Sequence, residues 1–131
     1  MKLEHVAFNV PAPVEMADWY SRNLGLEMVR SNSEPPYAHF LRDSGGRMMF
    51  EIYSNSEADV PDYEAMNPLI LHFAFVSESP ADDRDRLLKA GATLVSDEQP
   101  DDASHIVMMR DPWGVPIQFC KRGIGMLAGQ E

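Results

Sequence analysis

Two pairs of polar residues recur in this chain at one spacing: His5 and His72 are 67 positions apart (72 − 5), and so are Glu51 and Gln118 (118 − 51). The text around them repeats as well. His5-Val6-Ala7-Phe8 reads against His72-Phe73-Ala74-Phe75. Gly25 and Val29 stand 66 positions before Gly91 and Val95, and Arg42-Asp43 with Gly46 stands 68 before Arg110-Asp111 with Gly114. A drift of one residue either way is what changes in loop length produce. Agreement at this many positions means one supersecondary unit written twice, and it constrains the fold before any single motif does.

Within the first copy, residues 3–10 alternate. Val6, Phe8 and Val10 point one way and Leu3, His5, Ala7 and Asn9 the other, the period of a strand with two differently treated faces. Pro11 and Pro13 end it. Residues 14–23 then carry Met16, Trp19 and Tyr20 at helical spacing, with Gly25 just beyond as a C-terminal stop. Strands are expected at 26–30, 37–41 and 48–53, separated by turn residues at 31–36 and 43–46. The second copy predicts the same order. It has a strand at 70–76, a helix opened by Pro80 and closed by Gly91, and strands at 93–95, 106–109 and 117–121. The expected architecture is therefore α+β: two paired βαβββ modules (2–53 and 69–122) forming a curved mixed sheet with helices on its outer face. The polar, acidic stretch 54–68 serves as linker, residues 1–122 make a single domain, and a glycine-containing tail at 123–131 is expected to be loosely held.

Composition removes several functional classes. With 131 residues, 44% hydrophobic and 24% charged, the chain can bury the core of one ordinary domain. A net charge of −10 repels phosphate backbones, and no basic stripe offers a nucleic-acid footprint. The acidic runs at 57–64, 82–85 and 97–102 read as solvated surface and are assigned no partner. No apolar run approaches the roughly 20 residues of a membrane span. A single cysteine, Cys120, excludes an intrachain disulfide framework, and the N-terminus shows no apolar signal segment, so a cytoplasmic location is expected.

Strand parity links the repeat to chemistry. His5 lies opposite Val6 and Phe8, Glu51 opposite Phe50 and Ile52, His72 opposite Leu71 and Phe73, and Gln118 opposite Ile117 and Phe119. All four polar side chains are thus expected on the less apolar face. Two imidazoles, one carboxylate and one amide oxygen suit a divalent cation, Zn²⁺ by preference, with Ni²⁺, Mn²⁺ or Fe²⁺ as alternatives. The competing reading gives the same residues ordinary hydrogen-bonding or pocket-lining roles with no metal. His39 and His105 stand three and five residues before their Arg-Asp pairs, a mismatch within the repeat, and read as non-ligands. Neither a Gly-rich phosphate loop nor a Gly-x-Ser-x-Gly elbow is present. Cys120 reads as a buried structural thiol, and Met48, Met49, Met108 and Met109 as adaptable core or pocket lining.

The paired βαβββ modules, the Trp19-Tyr20 and Leu24-Gly25-Leu26 helix exit, and Asp111-Pro112-x-Gly114 before the last strand resemble the vicinal oxygen chelate superfamily. That group includes glyoxalase I, bleomycin-resistance proteins and extradiol dioxygenases. The resemblance covers residues 2–122. It implies a ligand set of His5, Glu51, His72 and Gln118, most similar to glyoxalase I, which normally has Glu at the last position. Gln cannot take up a proton at neutral pH, so Glu51 becomes the expected general base. Asn55 matches an asparagine that contacts glutathione, and Asn9 stands where the family has an arginine; both are expected substrate-binding residues. A second family arginine is replaced by Pro68. The resemblance implies a metal-dependent lyase or isomerase acting on a small substrate with vicinal oxygens, in a homodimer. Its alternative is a metal-free small-molecule-binding protein of the bleomycin-resistance type.

Overall fold

The computed structural model describes residues 1–127. The chain divides into two compact units, 1–61 and 62–131, and each builds one copy of the repeat. In the first, β1 (His5–Asn9), α1 (Pro13–Leu24), β2 (Glu27–Ser31), β3 (His39–Arg42) and β4 (Met49–Tyr53) follow the expected order. The second contains β5 (Phe73–Val76), α2 (Pro80–Lys89), β6 (Thr93–Glu98), β7 (His105–Arg110) and β8 (Pro116–Lys121). Each unit has its own four-stranded mixed sheet, ordered β1-β4-β3-β2 and β5-β8-β7-β6. One edge strand pairs in parallel with the last strand of its unit, and the rest pair antiparallel. This is the α+β paired-module architecture that the repeat implies.

The helices form for local reasons that the sequence displays. Pro13 occupies the first turn of α1, where its missing N–H costs nothing, and Gly25 ends the helix in the left-handed conformation at φ 67°. In α2 the Ser79 hydroxyl accepts from Asp82 N, acidic Asp82 and Asp83 fill the first turn, and Arg86 and Lys89 the last, matching the helix dipole. Each helix covers one face of its own sheet. Met16, Ala17 and Tyr20 of α1 are fully buried with Leu41 and Ile52, and the Tyr20 ring lies edge-on to Phe50 at 6.4 Å. In the second unit Leu87 of α2 is buried along with Val107, Met109 and Ile117. Side chains of this size contribute roughly 1.5–3 kcal/mol each on leaving water.

One expected strand is shorter than its alternation suggests. The strand predicted from residue 70 begins at Phe73, because Asn67-Pro68 folds the segment before it into a turn. Ile70 N bonds back to Asn67 O at 2.9 Å, and Leu69 and Ile70 are left exposed. His72 therefore sits between the bend at Leu71 and the start of β5.

The 54–68 connection is shared between the two units, and one buried polar clamp holds each part. In the first unit Asn9, only 8% exposed, donates through Nδ2 to the carbonyls of Asn55 (3.0 Å), Ala58 (3.0 Å) and Asp59 (3.4 Å). In the second, the Arg110 guanidinium donates to the carbonyls of Tyr63 (2.8 Å), Gly114 (3.1 Å) and Met66 (2.7 Å). Backbone carbonyls in an irregular segment need partners when water is excluded, and these two side chains supply them. The Asp111-Pro112-Trp113-Gly114 turn is closed by Asp111 Oδ1, which accepts from Trp113 N and Val115 N. Of the tail, residues 123–127 are described. Gly123 N donates to Ser104 Oγ at 3.1 Å, and the remainder of the tail lies outside the described residues.

Candidate functional site

In the first unit the open face of the sheet, opposite α1, gathers the first predicted pair. Register places His5 beside Met49, Ala7 beside Glu51, and Glu51 beside Phe40. The His5 and Glu51 side chains converge there: Nε2 stands 3.3 Å from Glu51 Oε2, with the two side chains 38% and 20% exposed. His5 Nδ1 is 3.0 Å from Glu4 Oε1. Both ring nitrogens of His5 face carboxylate oxygens, which can only accept, so each contact needs a ring N–H or, on the Glu51 side, a cation held between ring and carboxylate. Two lone-pair groups 3.3 Å apart repel unless a proton or a cation lies between them. A histidine whose far nitrogen is tied to a carboxylate is the arrangement that orients imidazoles toward metals. The pair thus fits two ligands of a divalent ion.

The second unit carries the other two candidates. His72 Nδ1 is 2.8 Å from Pro68 O, again an acceptor, so Nε2 is the free basic nitrogen. Gln118 lies on the open face of β8, opposite Ile117 and Phe119, and its Oε1 accepts from Cys120 Sγ at 3.0 Å. That bond uses one of two lone pairs on the amide oxygen. Burial pushes the Cys120 thiol up, which keeps it protonated and a donor. Among the described residues no three His, Cys, Asp or Glu side chains cluster tightly enough to hold a metal by themselves.

Asn9 and Asn55 are drawn together, through Asn9's side chain and Asn55's backbone. Asn55 N donates to Asn9 Oδ1 at 2.7 Å, in addition to the bond from Nδ2 to its carbonyl. The Asn55 side-chain oxygen accepts from Glu57 N at 2.9 Å. The observed work of both residues is to shape the 55–59 loop. His39 is buried on the α1 side, with Nδ1 2.6 Å from Tyr37 O, and His105 bonds Asp97 Oδ1 at 2.7 Å. An open depression of about 300 Å³ near the start of α1 is lined by Pro11, Pro13, Glu15, Tyr37 and Ser54, and no predicted site residue borders it. Glu4 is the neighbour that sequence reasoning passed over. Its adjacency to His5 was the available signal, although adjacent strand residues ordinarily point to opposite faces.

Comparison with known proteins settles the family. The model of the glyoxalase-like domain matches residues 5–120. The chain belongs to that family, and with it to the vicinal oxygen chelate superfamily. Among solved structures, a glyoxalase family protein from Bacillus cereus is similar, with a TM-score of 0.77 at 16% identity, covering 92% of this chain and 93% of that one. Lactoylglutathione lyase from Agrobacterium tumefaciens gives 0.65 at 21% identity, covering 90% and 91%. TnmS3, an antibiotic binding protein from Streptomyces sp. CB03234, gives 0.70 at 13% identity, covering 91% and 93%. At these identities the likeness is one of fold. No curated protein matches the glyoxalase-like chain significantly. No helix among its described residues is long and apolar enough to cross a membrane.

Proposed function

We propose that this glyoxalase-like protein is a metal-dependent lyase or isomerase acting on a small molecule with vicinal oxygens. The observation that carries the reading is the 3.3 Å approach of His5 Nε2 to Glu51 Oε2, with His5 Nδ1 anchored on Glu4. His5 and Glu51 would hold the cation, and His72 and Gln118 are the candidate ligands of the second copy. When bound, a divalent ion such as Zn²⁺ supplies a positive charge that polarises substrate oxygens. Glu51 is the one carboxylate in the set, and it would take a proton from one carbon and return it to the neighbouring one. Its seat on a central strand, between β1 and β3, fixes that carboxylate more firmly than a loop could. We place the protein in the cytoplasm as a homodimer, with no nucleic-acid partner.

Titration with Zn²⁺, Ni²⁺ and Mn²⁺ followed by metal analysis tests the reading. About one equivalent is expected, reduced by Glu51→Gln and by His5→Ala. His72→Ala and Gln118→Ala report whether the second copy participates. Less than a small fraction of one equivalent with every ion defeats it. The second reading, a metal-free small-molecule-binding protein, is supported by the similar fold of TnmS3, an antibiotic binding protein. It predicts no stoichiometric metal and unchanged ligand binding in Glu51→Gln.

A further inference from the structure

The open face of the first sheet holds a cation that the sequence pattern hides. Strict alternation along β2 would put Arg30 on the same side as Met28, which pairs with the buried Leu41. The register instead slips between Met28 and Arg30, leaving Val29 as an extra residue, so that Arg30 pairs with Phe40. Phe40 in turn pairs with Glu51. The bulge thus rotates Arg30 onto the face that carries His5 and Glu51, and bulges beside sites commonly serve to re-aim one side chain.

Arg30 is held there by an aromatic platform. Its guanidinium carbon lies 5.6 Å from the centroid of Phe40, and the Phe40 ring meets the His5 ring edge to face at 5.9 Å. The nearest acid of its own strand is already engaged, because Glu27 accepts from Arg42 Nε at 3.2 Å. Among the described residues Arg30 has no ion-pair partner, in a chain of net charge −10. Arg84, Arg86 and Arg22 are all paired with aspartates. Stacking one plane of a guanidinium on a ring leaves its N–H edge free to bind a carboxylate with two parallel hydrogen bonds.

The second copy supplies an internal comparison. It carries the same slip, between Leu94 and Ser96, and there the re-aimed residue is Ser96 opposite Met108. The device is common to both copies, and the charge belongs to the first alone.

We infer that Arg30 is a specificity-determining residue that binds a carboxylate of the substrate, which is therefore a small anionic molecule bearing an acid group several carbons from its vicinal oxygens. The inference rests on Glu51 being the reacting end. Strands are spaced about 4.8 Å apart, so two spacings separate Arg30 from Glu51 and set their Cα atoms roughly 10 Å apart.

A matched pair of probes tests this. 2-Hydroxyglutarate and 2-hydroxypentanoate share five carbons and the vicinal hydroxyl and carboxylate oxygens, and only the first has a carboxylate at the far end. Calorimetry on the metal-supplemented full chain should show 2-hydroxyglutarate binding at least about tenfold tighter, the scale of one charge-assisted bidentate contact. Arg30→Ala should erase that preference while leaving 2-hydroxypentanoate binding unchanged, and Arg30→Lys should restore part of it. Circular dichroism confirms that the variants fold. Equal binding of the two probes by the wild type, a preference that survives Arg30→Ala, or binding of neither probe overturns the inference. Glu51→Gln separates the two claims. If it alters binding of neither probe, Glu51 is not the reacting end, while a preference still lost in Arg30→Ala keeps Arg30 as the anion contact.

Discussion

Asn9 and Asn55 exchange hydrogen bonds in both directions: Asn9 Nδ2 donates to the Asn55 carbonyl at 3.0 Å, and Asn55 N donates back to Asn9 Oδ1 at 2.7 Å. With two more carbonyls on Nδ2, this nearly buried amide satisfies a whole loop turn. Asn9→Ala strands those groups away from water, at about 1–3 kcal/mol for each group left unpaired. We predict a loss of roughly 2–4 kcal/mol in urea unfolding on that scale. A stability change below the scatter of the measurement would mean that water replaces the amide freely.

Arg110 performs the corresponding work in the second unit, and it needs its fork to do so. Three carbonyls, of Tyr63, Met66 and Gly114, are reached from two nitrogens of one planar group. A lysine ammonium on a flexible stem cannot hold all three in fixed directions. Arg110→Lys should lose about 1.5–3 kcal/mol, the scale of a hydrogen bond to a charged group. Limited proteolysis should show faster cleavage within 62–67. Cleavage at the wild-type rate would show that the segment does not depend on the clamp.

Two glycines separate backbone conformation from crowding. Gly25 and Gly114 both have positive φ, 67° and 91°. A Cβ on Gly25 would meet nothing within 4 Å, whereas one on Gly114 would stand 2.7 Å from Glu64 N. Gly25→Ala should therefore cost about 1 kcal/mol, the left-handed penalty alone. Gly114→Ala adds displacement of backbone held by Arg110, and should cost roughly 3 kcal/mol or more. Equal losses in the two variants, read from Tm, would contradict this account.

Much of this was legible in the sequence, and the exceptions share a physical origin. The repeat, the alternation and the Pro and Gly punctuation depend on neighbours a few residues away, so all ten elements could be placed from them. Parity also set Glu51 and Gln118 on the open faces. What could not be read depends on distant pairing. The bulge at Val29 exists because of the register of β2 on β3, and it reverses the face expected for Arg30. Asn9 reads as a substrate contact from its place at a family arginine position, and its hydrogen-bond partners, some 46 to 50 residues onward, follow only from the folded loop. His72 reads as a strand residue until the Asn67-Pro68 turn is seen to reach it through the Pro68 carbonyl.

Asp97 contributes to the pH dependence of stability. The hydrogen bond from His105 holds its carboxyl below the usual range against the opposing effect of burial, and the hydrogen bond from Arg84 adds to the lowering. A lowered folded-state value favours the charged form in the native protein. Its stabilisation is therefore complete above the unfolded value near ~4 and is lost as pH falls through the lower folded value. Asp97→Asn should reduce stability at pH 7 by roughly 0.2–1 kcal/mol per exposed pair lost. The difference from wild type should shrink as the pH drops into the acid range. A gap that stays constant down to the acid limit of folding would assign the loss to packing.

Glu4 offers a test of how His5 is aimed. Its carboxylate is largely exposed, yet it lies 3.0 Å from Nδ1 and so holds the ring with Nε2 toward Glu51. Partners that orient a ligating imidazole in this way are worth about 10–100-fold in metal affinity, and exposure places Glu4 near the lower figure. Glu4→Gln preserves shape and retains an oxygen that can still accept, so it should weaken Zn²⁺ binding only slightly. Glu4→Ala removes the acceptor and should weaken it by roughly tenfold. If Glu4→Ala binds Zn²⁺ as tightly as wild type while His5→Ala does not, the imidazole is oriented by its strand and by the edge of Phe40.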